Sequence, residues 1–234
     1  MCKIKLITFD LDDTFWDIKP IIVNAEYQTR AWIEKLVGKI EWGDVQENIA
    51  LRKKFIEKDS SLEWDISELR KCFYRHFLKT KINNEEKIER YTQEAYKFFL
   101  SKRNDVIFFN GVLDTLEEIH KTYKLGVLTN GNADLKVIGI NKYFEFLINA
   151  KDAKANKPDI IHFKLIKKYL PDIDFDEILH VGDCQVNDML GASNAGMRTL
   201  WFNKNNEYWG QSIKKPPEFD DWKNFTKILG EIGE

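Results

Sequence analysis

The sequence predicts an α/β protein: a Rossmann-like, doubly wound parallel sheet with a small helical-bundle cap inserted after the first strand. Three observations carry this. Short apolar runs that stop at a carboxylate or hydroxyl alternate with amphipathic segments, as parallel strands and their crossover helices do. Residues 18–108 show helical periodicity with no convincing strand. A length of 234 residues exceeds an ordinary domain yet falls short of two full-sized ones. The reading therefore gives a core of residues 1–17 and 109–234 with a cap of residues 18–108.

The elements follow in order. Ile4 to Phe9 is a buried strand that delivers Asp10 to its carboxyl end. In the cap, Pro20 suits the first turn of a helix running to Val37, and further helices are expected over Val45 to Lys58, Ile66 to Leu78 and Glu85 to Leu100. Val112, Leu116, Ile119 and Tyr123 share one helical face, ahead of a strand over Leu125 to Thr129. Asn130-Gly131-Asn132 is a turn leading into another helix. Strands at Phe146 to Asn149, Glu177 to Val181 and Arg198 to Phe202 then alternate with helices at Asp159 to Leu170 and Val186 to Ala195. Pro216-Pro217 and a short helix from Trp222 to Leu229 carry no chemical signal and read as packing. Such sheets bind ligands beyond the carboxyl ends of their strands. Asp10, Thr129 and Asp183 stand at those ends.

Composition narrows the function classes. Lys plus Arg number 36 against 38 for Asp plus Glu, interspersed along the chain, which leaves no basic footprint for a nucleic-acid polymer. Cys2, Cys72 and Cys184 are too far apart for a disulfide framework or a zinc-ligand pattern, so a reducing compartment is expected. The first ten residues turn charged before a signal-peptide core is complete, and no later stretch approaches a membrane span. The expectation is a cytoplasmic enzyme, a monomer or a weak homodimer, with a small-molecule partner.

Asp10-Leu11-Asp12-Asp13-Thr14 is the most informative segment. Carboxylates two apart on a strand face opposite ways, but they converge if the chain leaves the strand at Leu11. Hydrolysis of a phosphate monoester requires a nucleophile, neutralised phosphoryl oxygens and a protonated leaving group. Asp10 is cast as the nucleophile, and Asp12 as general acid and then base. Crowding Asp10, Asp183 and Asp188 together requires a cation, and an all-oxygen donor set suits Mg²⁺. Thr129, Asn130 and Gly131 offer a hydroxyl and backbone N–H groups at a helix start as a phosphate cradle. Lys157, beside Pro158, places an ammonium over the same site as a catalytic and phosphate-binding group. Trp16, just after the catalytic loop, is expected on the substrate side. His76, His120, His162 and His180 lack metal-ligand spacing, and His180 reads as a hydrogen-bonded core residue.

Taken alone, each motif has an ordinary explanation as a solvated loop, a turn or a surface charge. Their joint appearance in order, each at a strand end or helix start, decides for a catalytic site. Together, Asp10-Leu11-Asp12-Asp13-Thr14, Thr129, Lys157 and Gly182-Asp183 followed by Asp188 resemble the haloacid dehalogenase superfamily of phosphatases, over Lys3 to Asp17 and Val112 to Asn203. The resemblance implies that Asp10, the backbone carbonyl of Asp12 and Asp183 contact Mg²⁺, with Asp188 behind them. It also implies an aspartyl-phosphate intermediate. Asp12 separates the chain from the dehalogenases and P-type ATPases, which lack an aspartate there.

Trp16-Asp17, Thr129 to Ala133, Tyr143 to Phe146 and Ile178 to Asp183 further resemble bacterial phosphatases acting on flavin mononucleotide and on the phosphorylated ribitylaminouracil of riboflavin synthesis. Two rival functions remain at this level. A phosphomutase or phosphotransferase would share the aspartyl-phosphate, and a non-catalytic phosphometabolite-binding module would keep only the fold.

Overall fold

The computed structural model describes residues 3–233. It contains two compact units, Met1–Asp17 with Ile107–Glu234 and Ile18–Val106, so the second join falls two residues before the one read from sequence.

The first unit is built on a six-stranded sheet, with β1 Leu6–Phe9, β2 Lys124–Thr129, β3 Phe146–Asn149, β4 Ile178–Gly182, β5 Arg198–Phe202 and β6 Glu218–Phe219. Their order is β3-β2-β1-β4-β5-β6, and every pair is parallel. All four residues of β1 are buried, as expected of a central strand covered on both faces. Successive strands run outward from β1 to β3, and the chain then crosses to β4 on the other side of β1. This reversal opens a crevice at the carboxyl ends of β1 and β4. Asp10 and Asp183 follow those two strands directly.

An aromatic cluster supports the loop after β1. Phe9 and Phe15 lie 5.3 Å apart, Phe15 lies 5.3 Å from Trp222, and Trp222 stacks on Phe225 at 5.1 Å. The segment around residues 216–229, read from sequence as mere packing, thus does more: it adds β6 and places Trp222 against the back of this loop. Its indole Nε1 donates to the Thr14 carbonyl at 3.0 Å.

The second unit contains α1 Ile18–Val37, α2 Val45–Lys58, α3 Ile66–Leu78 and α4 Glu85–Arg103. Asp44, Asp65 and Asn84 cap the last three by accepting from the third backbone N–H of each helix. Glu47 completes a capping box with Asp44. The apolar faces bury Ile33, Phe73, Phe77, Ile88 and Phe99 in one cluster.

Several local expectations need correction. The helix expected over 159–170 is broken into Ile160–Lys164 and Ile166–Tyr169. The one expected over 186–195 begins as a π-helix, Gln185–Leu190, because the N–H groups of Asp188 and Met189 both reach the Cys184 carbonyl. Cys2 lies outside the described residues, while Cys72 and Cys184 are free thiols. Among the described residues, no helix is long and apolar enough to cross a membrane.

Candidate active site

The chain turns sharply as soon as it leaves β1. The N–H groups of Thr14 and Phe15 both reach back to the Leu11 carbonyl, at 3.2 and 2.7 Å. Asp13 takes a left-handed φ of 61°, a conformation that Asp tolerates better than most residues. This turn removes the strand alternation that would have sent Asp10 and Asp12 to opposite faces. Both line a cavity of about 280 Å³, together with Asp13, Thr129, Asn130, Gly131, Lys157, Asp183, Cys184, Asn187 and Asp188. Eight of the residues singled out from sequence therefore meet: Asp10, Asp12, Thr129, Asn130, Gly131, Lys157, Asp183 and Asp188.

Lys157 is the electrostatic centre. Its Nζ donates to Asp10 Oδ1 at 2.9 Å, to Asp188 Oδ1 at 2.6 Å and to the Leu128 carbonyl at 2.7 Å. An ammonium has three donors, and all three are engaged. Lys157, expected as an ammonium over the site, in this arrangement gives its three hydrogens to these acceptors and offers the site its charge. Burial alone would lower its pKa, but Asp10 and Asp188 outweigh burial and hold it above the usual lysine range, so it stays protonated.

The carboxylates divide into two kinds. Burial works to raise Asp188, yet Lys157 and the hydrogen bond from His180 hold it well below the usual carboxylate range. Its Oδ2 also accepts from the Cys184 N–H at 2.9 Å. Gly182 makes this possible, since a Cβ there would lie 2.4 Å from Asp188 Cγ. Asp10, in contrast, is pushed up to about 7, mainly by burial, with Asp188 adding to Lys157's incomplete compensation. Asp183 is pushed up to about 8 by burial, then by Asp188 and Asp10. One lysine does not neutralise this set. Oxygens of Asp10, Asp183 and Asp188 lie within 4.8 Å of one another, an all-oxygen cluster with excess negative charge that fits a hard divalent cation. Asp188 is already committed to Lys157, His180 and Cys184, which leaves Asp10 and Asp183 better suited to direct coordination.

Two expected roles shift. The phosphate cradle does not open a helix, because the next helix starts only at Leu135 under an Asp134 cap. Instead the Gly131 N–H closes onto Thr129 Oγ1 at 2.9 Å, which leaves the hydroxyl's own hydrogen to donate elsewhere. The Asn130 side chain accepts from the Lys157 N–H at 2.7 Å and donates to the Lys157 carbonyl at 3.1 Å, fixing the lysine's backbone. Trp16, expected on the substrate side, is fully buried, and its Nε1 donates to Asp12 Oδ1 at 2.8 Å.

Three further residues support the site, in contacts the sequence pattern does not specify. Thr14 donates to Asp183 Oδ1 at 2.9 Å, Trp201 donates to the Asp183 carbonyl at 2.7 Å, and His180 bridges Thr8 Oγ1 and Asp188 Oδ1 at 2.9 and 3.3 Å. The only signal for Thr14 was its place in the acidic loop. Trp201 sits within an apolar strand and gave none, whereas His180, read from its strand as a hydrogen-bonded core residue, is buried and makes the bonds to Thr8 and Asp188.

Residues 7–202 match the family model of haloacid dehalogenase-like hydrolases. The chain belongs to this family. It is 28% identical over 232 residues to the 5-amino-6-(5-phospho-D-ribitylamino)uracil phosphatase YigB of Escherichia coli K12, covering 97% of each chain. It is 30% identical over 211 residues to a glyceraldehyde 3-phosphate phosphatase of Pyrococcus abyssi, covering 85% of this chain and 81% of the relative. Among solved structures, one described as a 2-haloacid dehalogenase from Pseudomonas syringae pv. Tomato DC3000 superposes with a TM-score of 0.92 at 34% identity, covering 98% of this chain and 99% of that one. The haloacid dehalogenase-like fold of this chain is thereby shared with relatives whose names point to two different chemistries.

Proposed function

We propose that the protein is a Mg²⁺-dependent phosphomonoesterase that hydrolyses a small phosphorylated metabolite through an aspartyl-phosphate on Asp10. The observation that carries this reading is the convergence of Asp10, Asp12, Lys157 and Asp183 on one cavity. Asp10 attacks phosphorus, an Asp10–phosphorus bond forms, and the phosphorus–ester oxygen bond breaks. The departing oxygen takes its proton from Asp12. Water then attacks phosphorus and gives its proton to the Asp12 carboxylate, while the bond to Asp10 breaks and returns its electron pair to that carboxylate. Lys157 favours the ionised form of Asp10 against the burial that raises it, a cation at Asp10 and Asp183 would complete that compensation, and the Thr129 hydroxyl donates to a phosphoryl oxygen. A divalent cation held by Asp10, Asp183 and the Asp12 backbone carbonyl would supply positive charge against the phosphoryl oxygens.

The Escherichia coli relative supports a riboflavin-pathway phosphate or flavin mononucleotide as substrate, ahead of another nucleotide or a sugar phosphate. The Pseudomonas syringae structure favours a second reading, dehalogenation of a 2-haloacid. Leaving-group chemistry separates the two. A halide departs as a weak base and needs no proton, whereas an alkoxide does, so an aspartate at position 12 favours an ester.

The test is a screen of inorganic phosphate release from flavin mononucleotide, nucleotides and sugar phosphates, with Mg²⁺ and with EDTA. Chloride release from 2-chloropropionate is assayed alongside. Mg²⁺-dependent phosphate release is the expected result. Chloride release without phosphate release overturns the proposal.

A further inference from the structure

We infer that Trp16 is a positioning residue that decides which oxygen of Asp12 carries the transferable proton. This rests on the proposed role of Asp12 as general acid. The indole Nε1–H donates to Asp12 Oδ1 at 2.8 Å. Both oxygens of a protonated carboxyl keep lone pairs, but the carbonyl oxygen is the stronger acceptor, so an N–H on one oxygen biases the proton to the other. The indole on Oδ1 thereby selects Oδ2 as the oxygen that carries the proton.

The donor is rigidly held. Trp16 is fully buried and meets Phe108 edge to face at 5.5 Å and Phe15 at 6.2 Å. Its carbonyl accepts from the Asp13 N–H at 2.8 Å, and the Phe15 carbonyl beside it accepts from the Phe109 N–H at 2.8 Å. A ring fixed by packing and by backbone bonds on both sides sets the carboxyl plane of Asp12. In the first half-reaction the phosphorus–oxygen bond breaks, its electron pair stays on the leaving oxygen, and that oxygen takes the Oδ2 proton. In the second, Oδ2 recovers a proton from the attacking water. Without the indole N–H, Oδ1 loses this donor and with it the bias that keeps the proton on Oδ2, so the proton divides between the two oxygens.

The experiment compares substrates that differ only in their demand for an acid. An alkyl phosphate needs its leaving oxygen protonated, whereas p-nitrophenyl phosphate expels a stable phenolate without help. The value of kcat/KM reports steps up to leaving-group departure, so hydrolysis of the aspartyl-phosphate does not contaminate it. Trp16→Phe keeps a ring against Phe108 and Phe15 but deletes the donor. It is expected to lower kcat/KM for the alkyl ester at least about tenfold, part of the range of general-acid catalysis, and for the aryl ester no more than about twofold. A purely structural role would lower both together.

Asp12→Asn serves as the reference and should discriminate more strongly still. In that background, Trp16→Phe should change the alkyl-to-aryl ratio no further. If Asp12→Asn discriminates while Trp16→Phe lowers both esters equally, the positioning role is wrong and the acid role survives. If Asp12→Asn treats both esters alike, the acid role itself fails and the inference falls with it. Should Trp16→Phe not fold, benzothienylalanine at position 16, which replaces the N–H by sulfur in the same bicyclic ring, reads the same ratio.

Discussion

Replacing Gly182 by alanine measures how firmly Asp188 is held. The added Cβ would lie 2.4 Å from Asp188 Cγ, 2.5 Å from Oδ2 and 2.6 Å from Cβ. Non-bonded carbons rest at about 3.5–4.0 Å, so one group must move by about 1 Å. Asp188 has little room to do so. It is fully buried, its Oδ1 is bound to Lys157 at 2.6 Å and His180 at 3.3 Å, and its Oδ2 to the Cys184 N–H at 2.9 Å. Overpacking alone costs about 1–3 kcal/mol. Disrupting a buried charge pair carries the total towards about 3–5 kcal/mol. For a chain of this size that corresponds to a fall in Tm of roughly 10 °C. Urea denaturation followed by circular dichroism gives the free energy, with a thermal melt beside it. Gly230→Ala is the control, since a Cβ there meets nothing within 4 Å inside a helix, and it should be neutral or slightly stabilising. A Gly182→Ala protein within about 1 kcal/mol of the wild type would refute the tight-packing argument.

Further outcomes are expected. Asp10→Asn should abolish phosphate release while moving Tm by only a few degrees, and retained turnover would exclude Asp10 as the nucleophile. Lys157→Met should destabilise by about 3–5 kcal/mol, because it strands a buried carboxylate at Asp188; Lys157→Arg should not restore activity, since a planar fork does not reproduce three converging donors. Phosphate release and urea midpoints check both. His162 is held down to about 4, chiefly by burial and then by nearby Lys157, against an ordinary value of 6.5. The unfolded chain therefore binds the extra proton between those values, so this contribution is fully present above pH 6.5 and is lost as pH falls towards 4. Between pH 7.5 and 5.0 the wild type should lose about 2 kcal/mol that a His162→Gln variant retains, read from urea midpoints at the two pH values.

Strand ends were legible because burial stops abruptly at a charge: Phe9 before Asp10 and Gly182 before Asp183 mark the edge of the sheet without any knowledge of the fold. The cap helices were legible from helical periodicity and from Pro20 at a first turn, and Asp44, Asp65 and Asn84 cap three of them in the structure. What escaped the sequence depends on contacts that local pattern does not encode. β6 has only two residues and owes its existence to β5. Trp16 looked available to a ligand because it follows the acidic loop, yet its ring turns inwards onto Phe108 and its N–H onto Asp12. Lys157 was read as an ammonium over the site because its charge fits, but the pattern did not show that Asp10, Asp188 and the Leu128 carbonyl take its three hydrogens. Sequence pattern thus identified the residues of the candidate site better than the bonds among them.

The sequence separations within the site bear on how the protein comes into being on the ribosome. Asp10 meets Lys157 across 147 positions, Thr14 meets Asp183 across 169, and the Thr14 carbonyl meets Trp222 across 208. A nascent chain therefore carries its acidic loop long before the groups that balance and brace it emerge. Until then the loop is a set of solvated carboxylates with no organised chemistry, so the site can assemble only after the strands and aromatic residues far downstream have been made.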